Sequence, residues 1–218
     1  MVSIVGEIEF KGVKIRRLCH AAFRLEGGGV VVYIDPFRVE GVSKDGDLAI
    51  CTHDHYDHCS VEDLAKVLKE EGVVVAAANC SRKLSGLRYR VELLKPGDEI
   101  SVKGVRIEAV PAYNVGKPFH PRPYGGIGVI VELAGVRVYH AGDTDLIPEM
   151  EGLRGRVDVA LLPVSGVYVM TAEEAVEAAK RIRPALAIPM HYGAIVGSEK
   201  DAERFKRALE GVCRVEII

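Results

Sequence analysis

Between the apolar tetrapeptide Leu48-Ala49-Ile50-Cys51 and a helix-start signal at Ser60, the run Thr52-His53-Asp54-His55-Tyr56-Asp57-His58 packs three imidazoles and two carboxylates. The tetrapeptide predicts a short buried strand, and Ser60-Val61-Glu62-Asp63 predicts an N-cap with a carboxylate at the third helical position. The charged run is therefore a strand-to-helix loop. In an open α/β sheet such loops border the crevice at the carboxyl ends of the strands, where ligands are held. Imidazole nitrogen and carboxylate oxygen are the donors that borderline divalent cations such as zinc take when a coordination position stays open for chemistry. A lone histidine is ordinarily a core or surface residue. Three within six positions, interleaved with aspartate and without a low-complexity flank, point to metal.

Composition narrows the class. The chain is 48% apolar and 28% charged, an ordinary soluble globule, and no linker interrupts its 218 residues, which predicts one domain over 1–218. The net charge of −2 argues against a general nucleic-acid or membrane-surface binder. Met1 to Phe10 alternates apolar residues with Glu7 and Glu9, unlike a signal peptide, and the apolar stretch Val73 to Ala78 is too short to span a bilayer. Five cysteines (Cys19, Cys51, Cys59, Cys80, Cys213), odd in number and without a C-x-x-C pair, fit a reduced cytoplasmic interior. Cys51 lies inside the apolar strand and reads as a small buried hydrophobe.

Along the chain, Val2 to Val32 is strand-like, turning at Gly27-Gly28-Gly29 before Val30 to Ile34; Pro36 ends that strand and leaves Asp35 at its tip. The helix opened by Ser60 carries Leu64, Val67 and Leu68 on one face and closes at Gly72, with a buried strand from Val73 to Ala78. Tyr89 to Ala112 reads as hairpins turning at Pro96-Gly97 and Lys103-Gly104, and Ile127 to Tyr139 as another turning at Ala134-Gly135. The last third has a strand from Val157 to Val164, and the capping box Thr171-Ala172-Glu173-Glu174 opens a helix to Arg183. A strand at Leu186 to Ile188 then delivers His191, before a helix from Ser198 to Glu210 and a closing strand from Cys213 to Ile218. A β-rich first half and a β-α-β-α-β tail predict an α/β protein, two sheets packed face to face with helices outside. No repeat of solenoid period is present.

The ordered set of motifs resembles the metallo-β-lactamase-fold hydrolases. His53, His55, Asp57 and His58 match the signature H-x-H-x-D-H, and Asp35 the acidic residue on an earlier strand. Tyr139-His140-Ala141-Gly142-Asp143-Thr144 matches the later G-D-T/S segment, and Pro189-Met190-His191-Tyr192 the last ligand segment. More closely, Leu18-Cys19-His20-Ala21-Ala22-Phe23, Pro111-Ala112-Tyr113-Asn114 and Pro163 to Met170 are similar to the small prokaryotic branch related to ascorbate-6-phosphate lactonases. The resemblance implies a four-layer αββα sandwich with a binuclear centre of two divalent cations, Zn2+ before Mn2+ or Fe2+. It assigns His53 and His55 to the first cation and Asp57, His58 and His191 to the second, with Asp143 between them. Where the broader pattern has P-A-x-H this chain has Asn114, and His120 six residues later is the alternative ligand. Imidazole is the better zinc ligand. Asp35, His20 and His140 are read as outer groups that orient the ligands, with an ordinary buried histidine as the alternative for the last two.

The implied chemistry is hydrolysis of an ester, lactone or phosphoester bond by a metal-activated hydroxide, with Asp57 orienting the nucleophile and shuttling a proton. The loop from Asn114 to Gly128 is the candidate for substrate contact. Asn114, Lys117, Arg122 and Tyr124 suit a small anionic substrate such as a sugar-phosphate lactone, and Tyr168 and Met170 are candidate walls, with core packing as the alternative. Two rivals remain at this level: a mononuclear iron dioxygenase on the same fold, and a non-catalytic metal-binding sensor. Nothing in the sequence identifies interface residues of a homo-oligomer.

Overall fold

The computed structural model describes residues 6–218, so the start of the strand pattern expected from Val2 lies outside the described residues. The first sheet contains β1 (Glu7–Phe10), β2 (Val13–Cys19), β3 (Ala22–Gly27), β4 (Val30–Ile34), β5 (Gly46–Cys51), β6 (Leu68–Ala77) and β7 (Arg90–Leu94), side by side in chain order. The second contains β8 (Glu99–Val102), β9 (Val105–Pro111), β10 (Ile127–Leu133), β11 (Val136–His140), β12 (Val159–Pro163), β13 (Leu186–Met190) and β14 (Arg214–Val215), again in order. Among the described residues four α-helices flank them: α1 (Val61–Val67), α2 (Ser81–Leu84), α3 (Ala172–Ile182) and α4 (Glu199–Ala208). One continuous apolar cluster joins both sheets and the helices, giving the αββα sandwich.

Each sheet starts as an antiparallel meander and continues with parallel strands: β4, β5, β6 and β7 in the first, β11, β12, β13 and β14 in the second. Parallel strands are covered on both faces, which is why β12 and β13 are buried at every position and read as continuous apolar runs. Their carboxyl ends all point to one edge. Asp35 follows β4, the histidine loop follows β5, Asp143 follows β11 and His191 follows β13. The β2–β3 turn joins the same edge, because Phe23 at the start of β3 pairs with Ile34 at the end of β4.

Three local expectations are corrected. The helix opened by Ser60 ends at Val67 rather than Gly72. Leu68 is extended (φ −83°, ψ 136°) and pairs with Gly46, so sheet pairing overrides the helical pattern. Pro96-Gly97 is not a hairpin turn; β7 is parallel to β6, and the segment carries the chain from the first sheet to the second. The closing strand shrinks to Arg214–Val215. All five cysteines are free, and no helix among the described residues is long and apolar enough to cross a membrane.

Candidate metal centre

The histidine loop is pinned from behind by Asp35, itself held at φ 47°. Asp35 Oδ1 accepts from the Thr52 backbone N–H at 2.8 Å, while Oδ2 accepts from Thr52 Oγ1 at 2.7 Å and faces His58 Nδ1 at 2.7 Å. Thr52 Oγ1 lies 3.1 Å from His53 Nδ1, so one buried carboxylate fixes the rings of two histidines. Asp143 arrives from the other sheet on a tight turn. Gly142 there has φ +62°, and a Cβ would stand 2.7 Å from the Ile127 carbonyl oxygen, so only glycine fits.

Two groups of donors converge. In the first, His53 Nε2 and His120 Nε2 each lie 3.1 Å from His55 Nδ1. In the second, His20, Asp57, His58 and His191 bring one donor atom each to within 4.8 Å of one another. Asp143 lies against both: Oδ2 is 3.0 Å from His191 Nε2 and 3.5 Å from His120 Nε2, and Oδ1 is 3.3 Å from His58 Nε2. Burial alone would lower His58, but the carboxylates of Asp143, Asp35 and Asp57 push it up to about 10. Burial would likewise raise Asp143, yet His191 and His58 hold it well below the usual carboxylate range. Burial keeps His53 well below the ordinary imidazole value and takes His20 to about 4 against the opposing contact with Asp57, so both rings are neutral at pH 7.

This donor set fits a cation on a direct test. His58 Nε2, Asp143 Oδ1 and both ring nitrogens of His20 are buried and make no hydrogen bond, although Asp143 Oδ1 lies 3.3 Å from His58 Nε2 and Asp57 Oδ2 lies 3.5 Å from both His58 Nε2 and His20 Nε2. Buried polar atoms are almost always satisfied. Four orphans on three neighbouring residues, in a field negative enough to retain a proton on His58, are what a site for cations looks like without them.

His120 is the imidazole brought beside His53 and His55. Asn114 stands behind it, its Oδ1 3.0 Å from both the His120 backbone N–H and His120 Nδ1. The Asn114 amide donates to the Tyr168 carbonyl and to Asp145 Oδ1. The other residues expected at the substrate also have partners within the fold. Lys117 Nζ is bound to Asp145 and the Val169 carbonyl, Arg122 pairs with Glu149 and stacks on Tyr113, and the Tyr124 hydroxyl donates to Asp54. His140 does not reach the Asp143 carboxylate: its Nε2 donates to the Ala21 carbonyl and its Nδ1 accepts from the Gly142 N–H. Met170 is fully buried in the core rather than in a wall.

A cavity of about 230 Å³ opens beside the donors, lined by His20, His55, Asp57, His120, Asp143 and His191 on its floor and by Tyr56, Phe119, Tyr168 and Ile195 on its walls. Phe119 and Tyr168 meet edge to face at 4.7 Å. Among the described residues no lysine or arginine lines it. Sequence reasoning passed over Phe119, Ile195 and Ser165, whose Oγ sits 3.0 Å from His191 Nδ1; the alternation of Val115 and Phe119 with the loop's charges was the available hint for the first.

An αββα sandwich whose two sheets bring histidines and aspartates to one edge defines the metallo-β-lactamase class of metal-dependent hydrolases. Residues 14–191 match the Beta-lactamase superfamily domain family. A UPF0173 metal-dependent hydrolase of Methanoculleus marisnigri is 36% identical over 212 residues (94% of this chain, 92% of the relative), and one of Thermoplasma acidophilum is 38% identical over 215 residues (91% of each). The crystal structure of a Parabacteroides distasonis protein, 31% identical, superposes with TM-score 0.86 over 98% of each chain. The chain therefore belongs to the β-lactamase superfamily, among its UPF0173 metal-dependent hydrolases.

Proposed function

We propose that the chain is a single-domain binuclear hydrolase, with zinc as its metal, that cleaves a small ester or lactone carrying an apolar flank. The observation that carries this reading is the pair of donor clusters joined by Asp143, with buried polar atoms of His20, His58 and Asp143 left unpaired. His53, His55 and His120 would hold one cation, Asp57, His58 and His191 the other, and Asp143 would serve both. When bound, such cations acidify water and stabilise the charge that develops on the carbonyl or phosphoryl oxygen.

The protein's own groups supply the remaining steps. Asp57 Oδ2 faces His20 Nε2 and His58 Nε2 at 3.5 Å at the cavity floor. Burial would raise this carboxyl, but its histidine neighbours keep it below the ordinary range, so it is anionic and able to take the proton of the attacking water. It then returns that proton to the leaving oxygen. Phe119, Tyr168, Tyr56 and Ile195 exclude bulk water and select an apolar flank, and we set aside the multiply anionic substrate because no fixed cation faces the cavity.

Elemental analysis of purified protein and a panel of esters, lactones and phosphoesters test the reading. Two zinc equivalents per chain, with faster hydrolysis of aryl esters or lactones than of sugar phosphates, are expected. Failure of fully loaded protein on the whole panel would point instead to a sensor, and an optical spectrum of bound iron to the redox alternative.

A further inference from the structure

The second donor group holds one histidine more than the motif pattern requires. We infer that His20 is itself a metal donor, the fourth of a set with Asp57, His58 and His191, rather than an orienting group behind them. This rests on the binuclear reading above.

Three independent features of the chain support it. First, the His20 side chain is fully buried, and neither ring nitrogen has a hydrogen-bond partner, while Nε2 faces Asp57 Oδ2 at 3.5 Å and the ring lies 3.8 Å from that of His191. Orienting histidines look different. His140 satisfies both nitrogens on backbone groups, and an unpaired buried imidazole without a ligand has no compensation. Secondly, the backbone is held in a conformation that glycine would adopt more easily: His20 has φ 54° and His191, which it faces, φ 61°. The His20 carbonyl accepts both the His191 N–H (3.0 Å) and Arg17 Nε (3.2 Å), and Arg17 Nη2 also donates to the Tyr192 carbonyl at 2.6 Å. Those bonds lock the two turns together with the rings facing. An imidazole kept at such a position has a use that a glycine could not serve.

Thirdly, the two sheets repeat one topology, and in it the β2–β3 connection corresponds to the β9–β10 connection. The latter delivers His120 to the first group, and the former delivers His20 to the second. Each sheet thus sends one histidine from the equivalent connection to a different group of donors.

The test is titration of metal-free protein with zinc chloride against a competing chelator. Wild type is compared with His20→Gly, with and without added imidazole, and with His20→Asn. Glycine relaxes the φ 54° backbone and asparagine tolerates it, so loss of binding does not report misfolding. Wild type should take up two equivalents. Both variants should bind one normally and the other at least about 100-fold more weakly, the upper end of what losing an outer orienting group costs. Imidazole should restore the second equivalent in His20→Gly, and cobalt(II) spectra should follow the same pattern. Two equivalents of unchanged affinity in the variants, or weakening that imidazole does not reverse, would overturn the assignment of His20 while leaving the binuclear reading intact. Fewer than two equivalents in wild type would instead remove the binuclear reading itself.

Discussion

In each sheet four antiparallel strands are followed by three added in parallel, and in each a helix precedes the sixth and the seventh strand. The correspondence reaches single residues. Lys11-Gly12 and Lys103-Gly104 both turn with two successive positive φ values, the geometry that matches hairpin twist. Val30-Val31-Val32-Tyr33 in β4 stands where Val136-Arg137-Val138-Tyr139 stands in β11, and both tyrosines are fully buried. The connections differ. β2 and β3 are joined by His20-Ala21 alone, whereas the chain from Ala112 to Gly126 joins β9 and β10 and brings Asn114, Phe119 and His120. The first half concentrates donors in the loop after β5, and the second spreads them over three connections. The scaffold is repeated, while the chemistry sits where the scaffold leaves length and sequence free.

The sharpest way to break this comparison is at the loops after β5 and β12. Asp57→Ala should lower turnover about 10²–10⁴-fold at saturating metal, the usual loss for a positioned proton-transfer group. Ser165→Ala, in the corresponding loop of the second sheet, loses only the hydroxyl that orients His191. It should weaken one metal equivalent about tenfold and leave kcat nearly unchanged once metal is replenished. Wild-type turnover in Asp57→Ala would remove its catalytic role, and an equal loss of kcat in both would mean that the two loops share the work.

A smaller contrast lies behind the ligands. Asp35 orients His58 directly and His53 through Thr52, so Asp35→Asn should weaken both metal equivalents about 10–100-fold. Among the ligands Asn114 holds His120 alone, and Asn114→Ala should weaken one equivalent by a similar factor. Competition titration separates the outcomes, and a single affected site in Asp35→Asn would show that Thr52 does not carry the coupling.

Much of this was legible in the chain. The histidine loop, the capping boxes and the Ala134-Gly135 turn depend on neighbours in sequence, and local chemistry was enough to find them. So was the repeat, had Lys11-Gly12-Val13-Lys14-Ile15 been set against Lys103-Gly104-Val105-Arg106-Ile107; its separation is far longer than a solenoid period. The end of α1 was not, because Leu68 joins a strand through a partner, Gly46, that local periodicity does not see. The surroundings of the Asn114 to Gly128 loop were hidden for a related reason. Lys117, Arg122 and Tyr124 are polar in sequence, and only folding brings them Asp145, Glu149 and Asp54 as partners.

Glycines at the turns sharpen the comparison in stability. Gly142, on the second sheet's loop, is crowded by the Ile127 carbonyl, whereas Gly12 has φ +83° and nothing within 4 Å of an added Cβ. Gly142→Ala should cost about 2–4 kcal/mol, left-handed strain plus overpacking, and Gly12→Ala about 1–2 kcal/mol from strain alone. Denaturant midpoints at constant slope measure both. Equal losses would mean that the loop yields to admit the methyl group.

The smallest difference concerns acid. The helix after β5 begins with Ser60 and Asp63, and that after β12 with the box of Thr171 and Glu174, but only Asp63 also reaches outside its helix, accepting from the backbone N–H groups of Arg38 (3.0 Å) and Val39 (3.1 Å). Burial alone would raise the Asp63 carboxyl; the Ser60 hydroxyl, Lys66 and those two N–H groups more than reverse it, holding it below its ordinary value. A folded pKa below the unfolded one means that the unfolded chain binds the proton more readily. The carboxylate's contribution is therefore complete above about pH 5 and is lost as pH falls from about 3.9 through the folded value. It should amount to about 1.5–3 kcal/mol, the scale of hydrogen bonds to a charged group. In metal-free protein, where ligand release does not intrude, Asp63→Asn should flatten the acid limb of stability against pH by that amount, while Thr171→Ala should lower the whole curve by about 1 kcal/mol without changing its slope. An Asp63→Asn curve parallel to wild type would mean that the two N–H groups find other acceptors, and that the two helix starts are equivalent after all.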